Sequence, residues 1–204
     1  GECSNTPANG SYSIPSVTLA TGTVVTVFLD GETEKAVAVT RAAGTGSIAN
    51  LDLYQNRIIV RHEDAGPVTN GDLNQFDANI GTCAGGTGDS DIGYCVTSSN
   101  LTTLDGYKLI VWTGDDFTPG GTVTTDPSAS AASVDGDVAI QAGAELDMGT
   151  DTWSVGGDLT NAGTFSKSGS QQTVFTATAT GHTISGLTGF VNVTFNGSGG
   201  GWSW

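Results

Sequence analysis

Val138-Ala-Ile-Gln-Ala-Gly143, Ala144-Glu-Leu-Asp-Met-Gly149, Trp153-Ser-Val-Gly-Gly-Asp-Leu159, Gly163-Thr-Phe-Ser166, Thr173-Val-Phe-Thr-Ala-Thr178, His182-Thr-Ile-Ser-Gly186 and Phe190-Val-Asn-Val-Thr-Phe-Asn-Gly197 follow one another through the last third of the chain. Each run alternates apolar with small polar residues, the period of a strand with one buried face. Gly or Asn-Ala-Gly corners lie between the runs, where positive φ angles let the chain turn sharply. No helical periodicity interrupts them. Runs this short hold no core alone and become stable only by stacking on neighbours, so residues 134–204 are expected to form a β-solenoid-like array of rungs. In the last run Val191, Val193 and Phe195 share one face, and Trp202 and Trp204 alternate shortly after. An apolar strand without a polar cap invites pairing, and the economical partner is another copy of the chain.

Working back, Asp126-Pro-Ser-Ala-Ser-Ala-Ala-Ser133 is small, polar and linker-like. Residues 12–126 before it read as a β-sandwich-like domain. Strands are expected at Ile14 to Leu19, at Thr23 to Leu29, and at Lys35 to Arg41 after a hairpin turn at Asp30-Gly31. Further strands are expected at Arg57 to His62, Tyr107 to Thr113 and Thr122 to Thr125. One short helix is expected near Thr69 or Asn70 as N-cap, with Leu73 and Phe76 three apart. Residues 1–11 form a polar leader, so the division is leader 1–11, sandwich 12–126, linker 127–133 and rung array 134–204. The fold class is all-β.

Composition bounds the function. The chain has 204 residues, with 31 glycines and only 13% charged side chains, so small residues and turns dominate. Six Lys and Arg against 21 Asp and Glu give a net charge of −15. Nucleic acid, which needs a basic patch, is therefore excluded as a partner, and so is an anionic membrane surface. No apolar run approaches membrane-spanning length, so no membrane insertion is expected. Acidic surfaces keep an exposed protein soluble and offer oxygen ligands where calcium is plentiful.

Three cysteines are present. Cys83 and Cys95 bracket a glycine-rich loop that a disulfide would staple, which implies an oxidising compartment and an extracellular or cell-surface location. Cys3 is then left as an intermolecular partner, a free thiol, or the true mate of one of the other two. Acceptor triplets for N-glycosylation occur at Asn100, Asn192 and Asn196, a pattern common by chance in a chain rich in Asn, Ser and Thr.

Candidate sites are few. Asp89-Ser-Asp91, on alternate positions of the cysteine loop, resembles half of a calcium loop, with Asp115-Asp116 and Asp135-Gly-Asp137 as weaker partial sites. Arg57, Arg61, His62, Glu63 and Asp64 read as a structural ion-pair cluster, because no nucleophile, second base or metal motif accompanies the histidine. Trp153, Trp202, Trp204 and Tyr107 are candidate sugar platforms, with burial in the core as the competing reading. Asp147 and Asp158 are too weak a pair to argue a glycosidase. Lys35 and Lys108 are candidates for intramolecular lysine-to-asparagine bonds.

Leu53-Tyr-Gln-Asn-Arg-Ile-Ile-Val-Arg-His-Glu-Asp-Ala-Gly-Pro67, Asp89-Ser-Asp-Ile92, Leu109-Ile-Val-Trp-Thr-Gly114, Phe117-Thr-Pro-Gly-Gly-Thr-Val-Thr-Thr125, Thr180-Gly-His-Thr-Ile-Ser-Gly186 and Phe190-Val-Asn-Val-Thr-Phe-Asn-Gly-Ser-Gly-Gly-Gly-Trp202 together resemble large repetitive surface proteins of uncultivated bacterial candidate phyla. The resemblance implies a surface location and a repeat habit, and brings no catalytic residue or ligand. The function expected from the whole is a non-enzymatic extracellular structural protein. It would self-assemble head-to-tail into a filament or tube by inter-subunit strand pairing, with Cys3, Val191, Val193, Phe195, Trp202 and Trp204 at the contact. Calcium or a disulfide through Cys3 would serve as a lock. The alternative is an adhesin or glycan-binding module of a larger surface repeat protein.

Overall fold

The computed structural model describes residues 10–79, 83, 88–126 and 129–204. In chain order its elements are β1 (Val24–Phe28), β2 (Val37–Arg41), β3 (Arg57–Val60), α1 (Asn70–Leu73), β4 (Tyr94–Thr97), β5 (Asn100–Thr103), β6 (Lys108–Val111), β7 (Asp116–Phe117) and β8 (Val123–Thr124). They continue as β9 (Val138–Ile140), β10 (Glu145–Asp147), β11 (Thr152–Val155), β12 (Leu159–Asn161), β13 (Thr164–Ser166), β14 (Gln172–Phe175), β15 (His182–Ser185), β16 (Asn192–Phe195) and β17 (Trp202–Ser203). Among the described residues the fold is all-β apart from one short helix.

The strands make three sheets. One runs β1-β2-β3-β6-β9-β12-β15-β17, a second β13-β10-β7, and a third β16-β14-β11-β8-β5-β4. Two pairs are antiparallel, β1 with β2 and β4 with β5. The named pairs that follow, such as β6 with β9 and β9 with β12, are parallel. Parallel neighbours need a crossover. Here the other sheets supply it: from β9 the chain enters the second sheet at β10 and the third at β11, then returns beside β9 at β12.

Parallel register places like on like. Val37, Ile58, Leu109, Val138, Leu159 and Ile184 form one inward column in the first sheet. Val68, Phe117, Leu146 and Phe165 form a second, and Leu101, Val123, Trp153, Thr173 and Val193 a third. Their buried apolar members belong to a single hydrophobic cluster. Strands of two to five residues are too short to persist singly, and the shared columns are what hold them.

Several expectations differ from what is seen. Residues 12–126 do not pair as an antiparallel sandwich: β2 with β3, β3 with β6 and β5 with β8 are parallel. Strands on either side of residues 127–133 share sheets, β6 pairing with β9 and β8 with β11. Long excursions between Ile58 and Leu109, including α1 and the cysteine loop, hide in the first half the same return that is compact between Val138 and Leu159. No strand forms at Ile14 to Leu19. The helix is where its cap places it, with Thr69 accepting from the Asp72 N–H and Asp72 reaching back to the Thr69 N–H.

Close stacking makes some corners intolerant of a side chain. Gly186 has a φ of 75°, and a Cβ there would run into the carbonyl oxygen of Asn161 on the preceding turn of chain. Gly149 has a φ of 51° with open space around it. Gly186→Ala should therefore cost about 3 kcal/mol or more, from strain plus displaced backbone, against about 1 kcal/mol for Gly149→Ala from strain alone. Urea unfolding of the two variants checks the difference, and equal costs would show that the corner contact is slack.

Candidate functional site

Three groups of side chains and one surface carry the chemistry. Asp89 and Asp91 are joined by a residue from far away in sequence, Asp30, in the hairpin turn between β1 and β2. One carboxylate oxygen from each lies within 4.8 Å of the other two. Asp89 Oδ1 accepts the Asp91 N–H at 2.9 Å, and Asp91 Oδ2 accepts the Gly31 N–H at 2.6 Å. The Tyr107 hydroxyl donates to the Asp91 carbonyl at 2.9 Å, and burial, with Asp91's charge second, pushes that hydroxyl up to about 12. The crowd of acids in the hairpin turn was the available signal, but nothing in spacing ties residue 30 to residue 91.

Asp115 and Asp116 do not converge on a third metal-ligating side chain among the described residues. They belong instead to His62. Its Nδ1 lies 2.7 Å from the Asp64 carbonyl and its Nε2 accepts the Asp116 N–H at 3.0 Å, which orients the ring between the two segments. Asp115 Oδ1 sits 3.8 Å from the ring, Arg41 pairs with Asp64 at 3.2 Å, and Arg61 pairs with Glu63 at 2.6 Å. These bonds tie the end of β3 to β7, which is a structural use of the cluster.

The third group was not assembled from the sequence. Register continues the first inward column by one residue, setting Asp137 beside Asp158 and Asp158 beside Thr183. Asp137 Oδ1 accepts the Asp158 N–H at 2.7 Å, and Asp158 Oδ1 accepts the Thr183 N–H at 2.8 Å. His182, buried, holds Nδ1 at 3.3 Å from Asp158 Oδ1, and Lys108 Nζ lies 3.5 Å from Asp137 Oδ2. Burial raises the Asp137 carboxyl above its ordinary range, Asp158's charge adding to this and Lys108 opposing it. Asp137, Asp158 and His182 present ligand atoms within 4.8 Å of one another, though Asp137 is already engaged by Lys108 and by the Asp158 N–H. Asp147 plays no part with Asp158, since its Oδ1 accepts the Gly149 N–H.

The surface lies at β16 and β17, edge strands of the third and first sheets. Val191, Val193, Phe195 and Trp204 are 41%, 44%, 53% and 70% exposed, so an apolar strip faces solvent. Trp202 is better anchored: it packs on Phe175 at 5.2 Å and on His182 at 5.6 Å, and its indole N–H donates to the Gly157 carbonyl. Phe195 stacks on Phe175 at 4.9 Å. Residues 168–204 contain no Asp, Glu, Lys or Arg, in a chain whose net charge is −15. At the opposite end Val68 bridges to Phe117 of β7, the Ala78 N–H donates to the Tyr94 carbonyl, and Asp77 accepts the Val96 N–H, so the edges of β7 and β4 are occupied.

Trp153 and Tyr107 are buried and present no face to a sugar. Exposed aromatic surface is offered by Trp204 and by Tyr54, whose ring lies 5.7 Å from that of Trp112. Lys35 sits over the Tyr107 ring, and Lys108 faces an aspartate rather than an asparagine. Cys83 and Cys95 form the expected disulfide, while Cys3 lies outside the described residues. No helix among the described residues is long and apolar enough to cross a membrane. No protein-family model, curated protein or solved structure matches the chain.

Burial raises the Asp115 carboxyl as well, against the lowering influence of His62 and Arg61. Asp115 thus binds its proton to higher pH in the fold than in the unfolded chain. Its contribution favours the fold at low pH and is lost as pH rises through that raised range. Asp115→Asn should match or exceed the parent in stability near pH 7, with the gap closing toward about pH 4. Thermal melts across that interval check this, and a gap that widens on acidification would reverse the assignment.

Proposed function

We propose that this chain is a non-enzymatic structural protein of the extracellular space or cell surface, built as a β-solenoid that joins other copies of itself by strand pairing at β16 and β17. The observation that carries the reading is the uncharged apolar edge. Natural edge strands are commonly guarded by charge, lysine above all, and this one has none across residues 168–204 of a strongly acidic chain. A second copy that docks there meets no acid on this edge, which lessens the acid-on-acid repulsion that two other faces would impose. Backbone groups along β16 and β17 supply hydrogen bonds, and Val191, Val193, Phe195 and Trp204 supply apolar area.

The solenoid part of the reading is supported by the return of the chain to each sheet in turn and by the parallel stacking of Val138, Leu159 and Ile184. The location is supported by the Cys83–Cys95 disulfide. Joining head to tail uses β1, the edge of the first sheet at the far end, because β4 and β7 are engaged. Repeated without closure, that contact gives a filament or tube. Calcium belongs to the same reading as a brace across Asp30, Asp89 and Asp91. These three carboxylates suit a hard cation, with carbonyls or waters completing the six to eight oxygens calcium takes. A second reading is favoured by the exposed aromatics Tyr54, which packs beside Trp112, and Trp204: a glycan-binding module of a larger surface repeat protein, in which further rungs of the same chain would cover β16.

Light scattering and electron microscopy of the purified chain, with calcium and then with chelator, test the proposal. Regular polymers are expected, and Val193→Lys with Phe195→Glu should weaken association at least about tenfold while leaving the circular dichroism spectrum unchanged. A monomer in every condition would sink the self-assembly reading in favour of the larger-chain module.

A further inference from the structure

We propose that Lys108 and Asp137 are joined by an isopeptide bond, a covalent rung-to-rung crosslink that the fold forms on its own side chains. Lys108 opens β6 and Asp137 immediately precedes β9, and the Leu109 and Val138 register makes the two direct neighbours across a parallel pair. The Leu109 N–H donates to the Asp137 carbonyl at 3.0 Å, so the backbones that carry the side chains are locked together. Their side chains are only 18% and 8% exposed. Nζ lies 3.5 Å from Oδ2, beyond the roughly 2.7–2.9 Å of a close charge-assisted hydrogen bond. The pair therefore bears a desolvation cost on both side chains that the longer contact only partly offsets.

The reaction needs the lysine proton passed to the carboxylate, leaving an amine beside a carboxylic acid, and burial holds the Asp137 carboxyl above its ordinary range, which favours the acid form there. The surroundings supply the rest. The Asp158 backbone N–H, 2.7 Å from Asp137 Oδ1, is placed to hold negative charge developing on that oxygen. The Asp158 carboxylate, itself held by the Thr183 N–H and His182, has an oxygen within 4.8 Å of the Asp137 carboxyl, where it relays a proton. In the step, Nζ bonds to Asp137 Cγ and the Cγ–Oδ2 bond breaks. Asp158 takes a proton from the nitrogen and passes it to the departing hydroxyl, which leaves as water. Asp158 ends as it began, and nothing is oxidised or reduced. The product amide is neutral, so a largely buried charge pair disappears from the first sheet.

Mass spectrometry of the purified chain tests this without reference to assembly. The intact chain should be one water lighter than its sequence and its disulfide require, and a protease digest should yield one branched peptide containing Lys108 and Asp137. Lys108→Arg and Asp137→Ala should each restore the full mass. Asp158→Asn should leave a mixture in which the lighter species accumulates slowly. Should either of the first two variants fail to fold, the parent alone decides, because the bond survives denaturation. Full mass in the parent, with Lys108 and Asp137 in separate linear peptides, would overturn the proposal. A missing water traced to any other pair would do the same.

Discussion

Parallel in-register stacking is the constraint on which everything else in this protein depends. When a strand returns beside its predecessor with no shift, each side chain meets its counterpart, and the identity of one rung sets what the next can tolerate. Apolar columns satisfy the rule easily: Val138 on Leu159 on Ile184 buries surface at every step and lets strands of three or four residues persist. The same rule is unforgiving of charge. Asp137 beside Asp158 would be a like-charge ladder, and the fold relieves it by turning each carboxylate onto the N–H of the next rung and bringing Lys108 and His182 alongside.

The two ends of the stack obey the rule differently. At one end the chain reverses, so that β1 and β4 run antiparallel to their neighbours, and a bridge from Val68 and bonds from Asp77 and Ala78 occupy the β7 and β4 edges. The Cys83–Cys95 disulfide fastens the segment that makes this closure to β4. At the other end β16 and β17 continue parallel and uncharged, with half-exposed aromatics lying on Phe175. Such a surface is chemically a template for one more rung, whichever chain supplies it.

How much of this was legible in the sequence depended on whether the information was local. Period-two alternation and glycine corners marked the strands from Val138 onward, and the Thr69 cap with Leu73 marked the helix, because each signal lies within a few residues. The Cys83–Cys95 pair was legible because the intervening glycines made a staple the economical reading. What failed was register. The sandwich expected over residues 12–126 came from reading the hairpin between Thr23 and Arg41 as typical of the whole, and β1 with β2 is one of only two antiparallel pairs among the named strands. The meeting of Asp30 with Asp91, and of Asp137 with Asp158 and His182, follows from which strand lies beside which, and no spacing rule states that. The charge-free stretch 168–204 was the one long-range signal in plain view; it shows only when charge is plotted along the chain rather than summed.

Charge placement also links the interior to the surface. Acidic residues are confined to the first 167 positions, where cations, N–H groups and bends are available to receive them: Arg41 for Asp64, Arg61 for Glu63, Lys108 for Asp137. With six basic residues against 21 acids, most carboxylates must face water or a cation, and none of them falls in residues 168–204, which hold β14 to β17. The acids all lie before β12, the strands after β13 are neutral, and the boundary falls where Asp158 meets His182.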